Sequence, residues 1–100
     1  MKKRNYKIAK LEKERFSIIT KDLDHCIICK KQKDNLHEVF FGKNRQLSMK
    51  WGCVIPLCYT HHIIIHSNHV LDLTWKIKMQ EAFEKTYNDD FISIFGKNYK

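Results

Sequence analysis

Cys58, His61, His62, His66 and His69 fall in one short run, LCYTHHIIIHSNH, and each side chain can ligate a metal ion. A C-x-x-C pair, Cys26 and Cys29, and a lone His37 lie upstream. A structural zinc ion takes four ligands, commonly as two pairs on tight turns. Cys26 and Cys29 supply one pair. Two candidates exist for the other. Cys53 and Cys58 lie in an apolar, strand-like segment, where extended geometry spreads them by roughly 16 Å and their odd spacing turns them to opposite faces. Cys58-x-x-His61 has knuckle-like spacing at a strand-to-helix junction. The expected zinc ligands are therefore Cys26, Cys29, Cys58 and His61, with Cys53 a buried small apolar residue.

His62 and His66 then remain, four residues apart and on one face of a helix. Such a pair is a good chelate for a second divalent ion. His61 and His62 are adjacent, so on a helix they face about 100° apart and each can serve a different ion. His37 could face the pair from a neighbouring strand. A neutral imidazole there can ligate a metal or act as a general base near neutral pH.

These side chains need elements to hold them. Residues 2–20 read as a basic helix with Ile8, Leu11, Phe16 and Ile19 roughly on one side. Asp22 and Asp24 break it before HCIICKKQK (25–33), which suits a zinc knuckle. NLHEVFF (35–41) is β-branched and aromatic and ends at Gly42, a strand. GKNRQLSMKWG (42–52) is polar and basic and reads as a loop. CVIPLC (53–58) is a second short strand, with Pro56 marking its end or an edge. Thr60 is placed to cap a short helix bearing His61, His62 and His66. Asp72 is placed to cap a longer helix over 73–87, in which Trp75, Met79, Phe83 and Tyr87 recur every four residues as a core-packing stripe. Asp89 or Asp90 starts a last helical turn that Gly96 ends.

One hundred residues bound the chain at one domain, and 43% hydrophobic content with twelve aromatics marks it as folded. A core this modest benefits from a metal staple. No apolar run is long enough for a transmembrane helix, and the basic N-terminus is not followed by the apolar region of a signal peptide. Without export the four cysteines stay reduced, which favours metal over disulfides. The net charge of +8 is uneven. Residues 1–21 carry eight Lys/Arg against two Glu, residues 22–58 carry six basic against four acidic, and residues 59–100 balance. The excess lies where a polyanion would be gripped.

The stretch LHEVFFGKNRQLSMKWG, followed by VIPLC-x-x-HH and a further His, resembles the HNH nucleases, the ββα-metal or treble-clef family. More narrowly, it is similar to small HNH proteins encoded by phages and prophages of Gram-positive bacteria. The resemblance covers about residues 15–100, including the C-x-x-C and the tail FISIFGKNY. It implies metal-dependent cleavage of a DNA phosphodiester, with His62 and His66 at the helix positions that hold the ion and His37 at the histidine of the first strand. The family usually carries a metal ligand and then a base histidine at that strand end, whereas this chain has His37-Glu38. Either His37 is the ligand and Glu38 the base, or His37 is the base and Glu38 an outer partner. The second is preferred, because an ordinary carboxylate is a weak base at neutral pH. Cys53 stands near the family's middle Asn, leaving Asn44 as the nearby candidate for that role. The Asp72 register favours His66 over His69 as the last ligand and leaves His69 exposed. Lys43, Arg45 and Lys50 fall on the loop between the strands, where Arg45 could pair with phosphate oxygens. Lys3, Arg4 and Lys7 would add sequence-independent grip.

The sequence is thus read as a small α+β, zinc-stapled treble-clef or ββα-metal domain over residues 1–100, with a basic N-terminal helix (1–21), a knuckle and ββα core (25–66) and C-terminal packing helices (72–96). The expected activity is that of an HNH endonuclease on double-stranded DNA in the bacterial host cytoplasm. It would use Mg²⁺, Mn²⁺ or Ni²⁺ for catalysis and Zn²⁺ for structure, with no membrane partner. The rivals are a non-catalytic treble-clef DNA-binding module and a zinc-stabilised adaptor for other phage proteins in assembly or packaging.

Overall fold

The computed structural model describes residues 6–100, with side chains from Ala9 onward. Lys3, Arg4 and the side chain of Lys7 lie outside the described residues. The elements are α1 (Tyr6–Lys13), β1 (Asn35–Glu38), a 3₁₀ turn (Gly42–Asn44), α2 (Arg45–Trp51), β2 (Val54–Leu57), α3 (Tyr59–Ser67), α4 (His69–Tyr87) and α5 (Phe91–Phe95). The architecture is α+β: one two-stranded antiparallel hairpin with helices around it.

The N-terminal helix stops at Lys13, well short of residue 20. Ile18, Ile19 and Thr20 are β-branched and poor helix formers, and the chain uses them for a different contact. The Ile18 amide donates to the Gly52 carbonyl at 3.0 Å, and Ile18 and Ile19 pack on the core.

His25 and Gln32 form an isolated antiparallel bridge that closes the Cys26–Cys29 turn. Lys30 takes a left-handed conformation, with its amide on the Cys26 carbonyl at 2.9 Å. The Ile27 amide donates to the Pro56 carbonyl at 2.9 Å, docking the turn onto β2. In the hairpin, Asn35 faces Leu57, Leu36 faces Pro56, His37 faces Ile55 and Glu38 faces Val54. The Val39 amide reaches the Cys53 carbonyl at 3.0 Å, so odd-numbered residues of β1 sit at hydrogen-bonded pairs. Pro56 falls at a non-hydrogen-bonded position, where its missing N–H leaves no gap in the ladder.

Residues 42–52 are not the loop their polarity indicates. After a 3₁₀ turn they form α2, which Ser48 secures: its hydroxyl donates to the Phe40 carbonyl at 2.6 Å and accepts from the Phe40 amide at 3.1 Å. The helix ends in a Schellman motif, with Gly52 at φ +75° and Cys53 N bonded to Ser48 O at 2.7 Å. Two caps also differ from expectation. Cys58, not Thr60, occupies the N-cap position of α3. Helix α4 begins at His69 because Asn68 caps it, its Oδ1 accepting from Leu71 N at 3.0 Å, and Asp72 sits in the first turn.

The packing stripe of α4 lies on the core: Met79 and Phe83 are fully buried, with Trp75 and Tyr87 packed beside them. Phe40 anchors the aromatic centre, 5.0 Å from Phe91 and 4.8 Å from Phe95 between ring centres. Each such buried ring contributes about 1.5–3 kcal/mol of transfer free energy. Asp90 caps α5 and Gly96, at φ +79°, ends it. Among the described residues no helix is long and apolar enough to cross a membrane.

Candidate metal centres

Two clusters of potential ligands form at the N-terminus and along one face of α3. In the first, Cys26 and Cys29 come from the knuckle turn, Cys58 from the end of β2 and His61 from the first turn of α3. Their donor atoms all lie within 4.8 Å of one another and could hold a metal ion. Cys29 Sγ is 3.7 Å from Cys58 Sγ. His61 Nδ1 is 3.6 Å from Cys26 Sγ and 3.3 Å from Cys58 Sγ. Burial works against ionising Cys26, but the backbone N–H groups of Cys58, Cys29 and Ile28 outweigh it and bring the thiol down to about 6. For Cys29 the Lys31 N–H favours the thiolate, while burial and the thiols of Cys58 and Cys26 raise it above the ordinary value. Cys53 stands outside the cluster as a buried thiol that desolvation pushes up to about 12.

The second cluster is made of His37, His62 and His66, whose ligand atoms likewise lie within 4.8 Å. His62 and His66 stack along α3 with their Nε2 atoms 3.2 Å apart. His37 reaches them from β1, its ring centre 5.7 Å from His62 and 5.2 Å from His66. It is 3% exposed, and its Nε2 is buried without a hydrogen-bond partner. A buried polar atom left this way costs about 1–3 kcal/mol unless a ligand or solvent satisfies it. Desolvation first, then the charges of His66, His62 and Lys76, lower His37 to about 3, so the imidazole is neutral. Burial and His66 lower His62 as well, against the opposing pull of Asp34 and Glu38. His66 is exposed and gives the cluster an open side.

The other expected site residues are placed elsewhere. Glu38 follows His37 in a strand and so points to the opposite face. There it accepts from Arg15 Nη2 at 2.7 Å and lies 3.4 Å from Arg45 Nε. Arg45 also binds Glu12 of α1 at 2.7 Å, so its guanidinium is engaged by two carboxylates. Asn44 donates from Nδ2 to the Phe95 carbonyl at 3.0 Å, tying the start of α2 to α5. Lys43 and Lys50 are exposed, as is His69.

Sequence reasoning missed the residues that surround these side chains. Phe41 packs against His37 and His66 at 5.9 and 5.7 Å. Lys76 lies over the Phe41 ring at 4.3 Å, and Asp72 holds it at 2.8 Å. The four-residue spacing of Asp72 and Lys76 is a readable helical ion pair, but nothing in it points across to β1. Arg15 and Glu12 are likewise a helix-spaced pair whose third partner, Glu38, lies far along the chain.

Comparison with protein-family models, with curated proteins and with solved structures found no match to this chain.

Proposed function

We propose that this protein is a divalent-metal-dependent endonuclease of the HNH type, a ββα-metal or treble-clef domain stapled by a separate structural zinc ion, acting on double-stranded DNA. The observation that carries the reading is the division of labour on α3. One four-donor clasp is enough to staple a domain of this size, and a second, all-imidazole cluster with an open side stands next to it.

The donor chemistry supports zinc in the clasp. Bonds of about 2.3 Å to sulfur and 2.0–2.1 Å to nitrogen, at tetrahedral angles, separate two sulfurs by about 3.8 Å and a sulfur from a nitrogen by about 3.6 Å. The separations found are 3.7 Å for sulfur to sulfur and 3.3 and 3.6 Å for sulfur to nitrogen. The same bond lengths put two imidazole nitrogens on one ion about 3.0–3.4 Å apart, against 3.2 Å for His62 and His66. The order β1, β2, α3, with the second cluster formed by β1 and α3, also agrees with a ββα-metal core.

In this reading His62 and His66 hold the reactive ion. A bound divalent ion supplies positive charge for a phosphate oxygen and the leaving 3′ oxygen. His37, whose buried Nε2 has no hydrogen-bond partner, faces the ion from β1, either as its third ligand or as the group that takes the proton of the attacking water. Glu38 positions β1 through Arg15 and Arg45, its side chain on the face away from His37. The exposed Lys43 and Lys50 would meet phosphates, with Lys3, Arg4 and Lys7 adding long-range attraction.

The test is plasmid cleavage with Mg²⁺, Mn²⁺ or Ni²⁺. Cutting that EDTA stops, and that H37A and H62A abolish at unchanged zinc content, is the expected result. Plasmid left intact with all three metals would replace this reading with a DNA-binding module.

A further inference from the structure

One cation is held against the three-histidine cluster by contacts that neither clasp requires. Lys76, on α4, has its ammonium 4.3 Å from the centre of the Phe41 ring and 5.6 Å from that of Tyr99. Phe41 packs directly on His37 and His66, so a single ring separates the ammonium from the imidazoles. Asp72, one turn earlier, fixes it at 2.8 Å. The side chain is only 15% exposed, which shields the charge from solvent and salt.

The Tyr99 wall is itself built from the interior. Gln80, buried on α4 one turn after Lys76, donates from Nε2 to Asn98 Oδ1 at 2.8 Å and accepts from Tyr99 N at 2.8 Å. Tyr99 is thereby locked against Phe40, 5.3 Å away. The ammonium is consequently held near two aromatic rings, one of which, Phe41, also packs on the histidines. A surface ion pair of this spacing would contribute equally well in open solvent. Its confinement sets a positive charge one ring away from the candidate metal site.

We propose that Lys76 contacts the phosphate of a nucleic-acid strand seated at His62 and His66, exchanging the Asp72 carboxylate for a phosphate oxygen. This rests on the endonuclease reading above. The ammonium adds a fixed donor where negative charge develops, a role in which loss of one donor lowers turnover by about 10²–10³-fold.

The experiment uses the full chain loaded with zinc and three variants: K76M, which keeps the stem but not the charge, K76R, and D72N. Duplex DNA binding is measured across salt concentrations without added divalent ion, and plasmid cleavage with Mn²⁺. K76M is expected to cut about 10²–10³-fold more slowly at saturating DNA and to lose about one unit from the slope of log K against log salt. K76R should retain most of both, and D72N should bind as tightly as wild type or tighter. K76M with wild-type rate and slope overturns the proposal. So does a D72N variant that weakens in parallel with K76M, because the pair would then be purely structural. A wild type that binds DNA without cutting it overturns the endonuclease reading alone, and the salt slope of K76M still decides Lys76. A wild type that does not bind DNA overturns both.

Discussion

His61 and His62 are consecutive in the chain yet belong to different clusters, with His61 Nδ1 3.3 Å from Cys58 Sγ and His62 Nε2 3.2 Å from His66 Nε2. The helix turn between them sends one imidazole toward the knuckle and the other toward β1. Exchanging their roles by mutation should therefore give opposite phenotypes. H61A is expected to lose the clasp ion and most of the cooperative unfolding transition. H62A is expected to keep both and lose only the second ion. Metal analysis of the purified variants alongside thermal melts checks this. A clasp ion retained in H61A would sink the ligand set.

Removal of the clasp metal by a strong chelator should unfold the domain, because the clasp joins the knuckle turn, the end of β2 and the start of α3 at one point. Far-UV circular dichroism during titration with chelator should show one transition that zinc reverses. A native spectrum in the fully stripped protein would mean the cluster is not a staple.

Acid should destabilise the protein through His37. Its folded value of about 3 lies below the ordinary 6.5. Above 6.5 the imidazole is neutral whether the chain is folded or not, and it contributes nothing to the pH dependence. As pH falls from 6.5 toward 3 only the unfolded chain takes up the proton, so stability drops, by roughly 3–5 kcal/mol in all. The clasp thiolates also protonate in acid, so the measurement compares wild type with H37Q. The variant should gain on wild type as pH is lowered. Parallel unfolding curves at pH 7 and pH 4.5 would refute the effect.

Glu38 and His37 can be separated by what their loss does. Glu38 has a side chain 12% exposed and neutralises two guanidiniums, at 2.7 and 3.4 Å. E38Q should cost about 1–3 kcal/mol of stability by leaving Arg15 and Arg45 without a full counter-charge. Cleavage at a temperature well below the melting point should fall less than tenfold, against its abolition in H37A. Abolished cleavage at wild-type stability would instead mark Glu38 as the base.

Gly52 offers a purely structural check. Its φ of +75° strains any L side chain, and an added Cβ would stand 2.4 Å from Phe16 Cε2. G52A should lose about 1–3 kcal/mol. Adding F16A should recover only the steric part, because the backbone strain remains. Denaturant midpoints of the two variants test the division.

The ligand groupings were legible because metal ligation imposes short, type-specific spacings. Cys26-x-x-Cys29, Cys58-x-x-His61 and the His62–His66 step each describe a local geometry that the fold preserves. The stripe from Trp75 to Tyr87 was legible for the same reason, as a period that only a helix satisfies. Helix α2 was hidden because polar and basic neighbours mask the few apolar residues that meet the core, Leu47, Met49 and Trp51, and because the Ser48 contact with Phe40, just past the end of β1, has no local signal. The early end of α1 was hidden because Ile18 meets Gly52, and neither residue announces the other. The roles expected of Arg45 and Asn44 depend on residues tens of positions away, Glu12 and Phe95, which no local pattern encodes.

The Gln80 anchor on Asn98 and Tyr99 has a bearing on how the protein comes into being. Chains fold from the N-terminus as they are synthesised. Both histidine-bearing elements and every clasp ligand emerge before residue 67, so the metal-binding half can assemble early. The wall that confines Lys76 cannot close until residues 98–99 have emerged and found Gln80. The ligand clusters can thus come together while the packing around Lys76 is still incomplete, so the two halves of the domain need not form in one step.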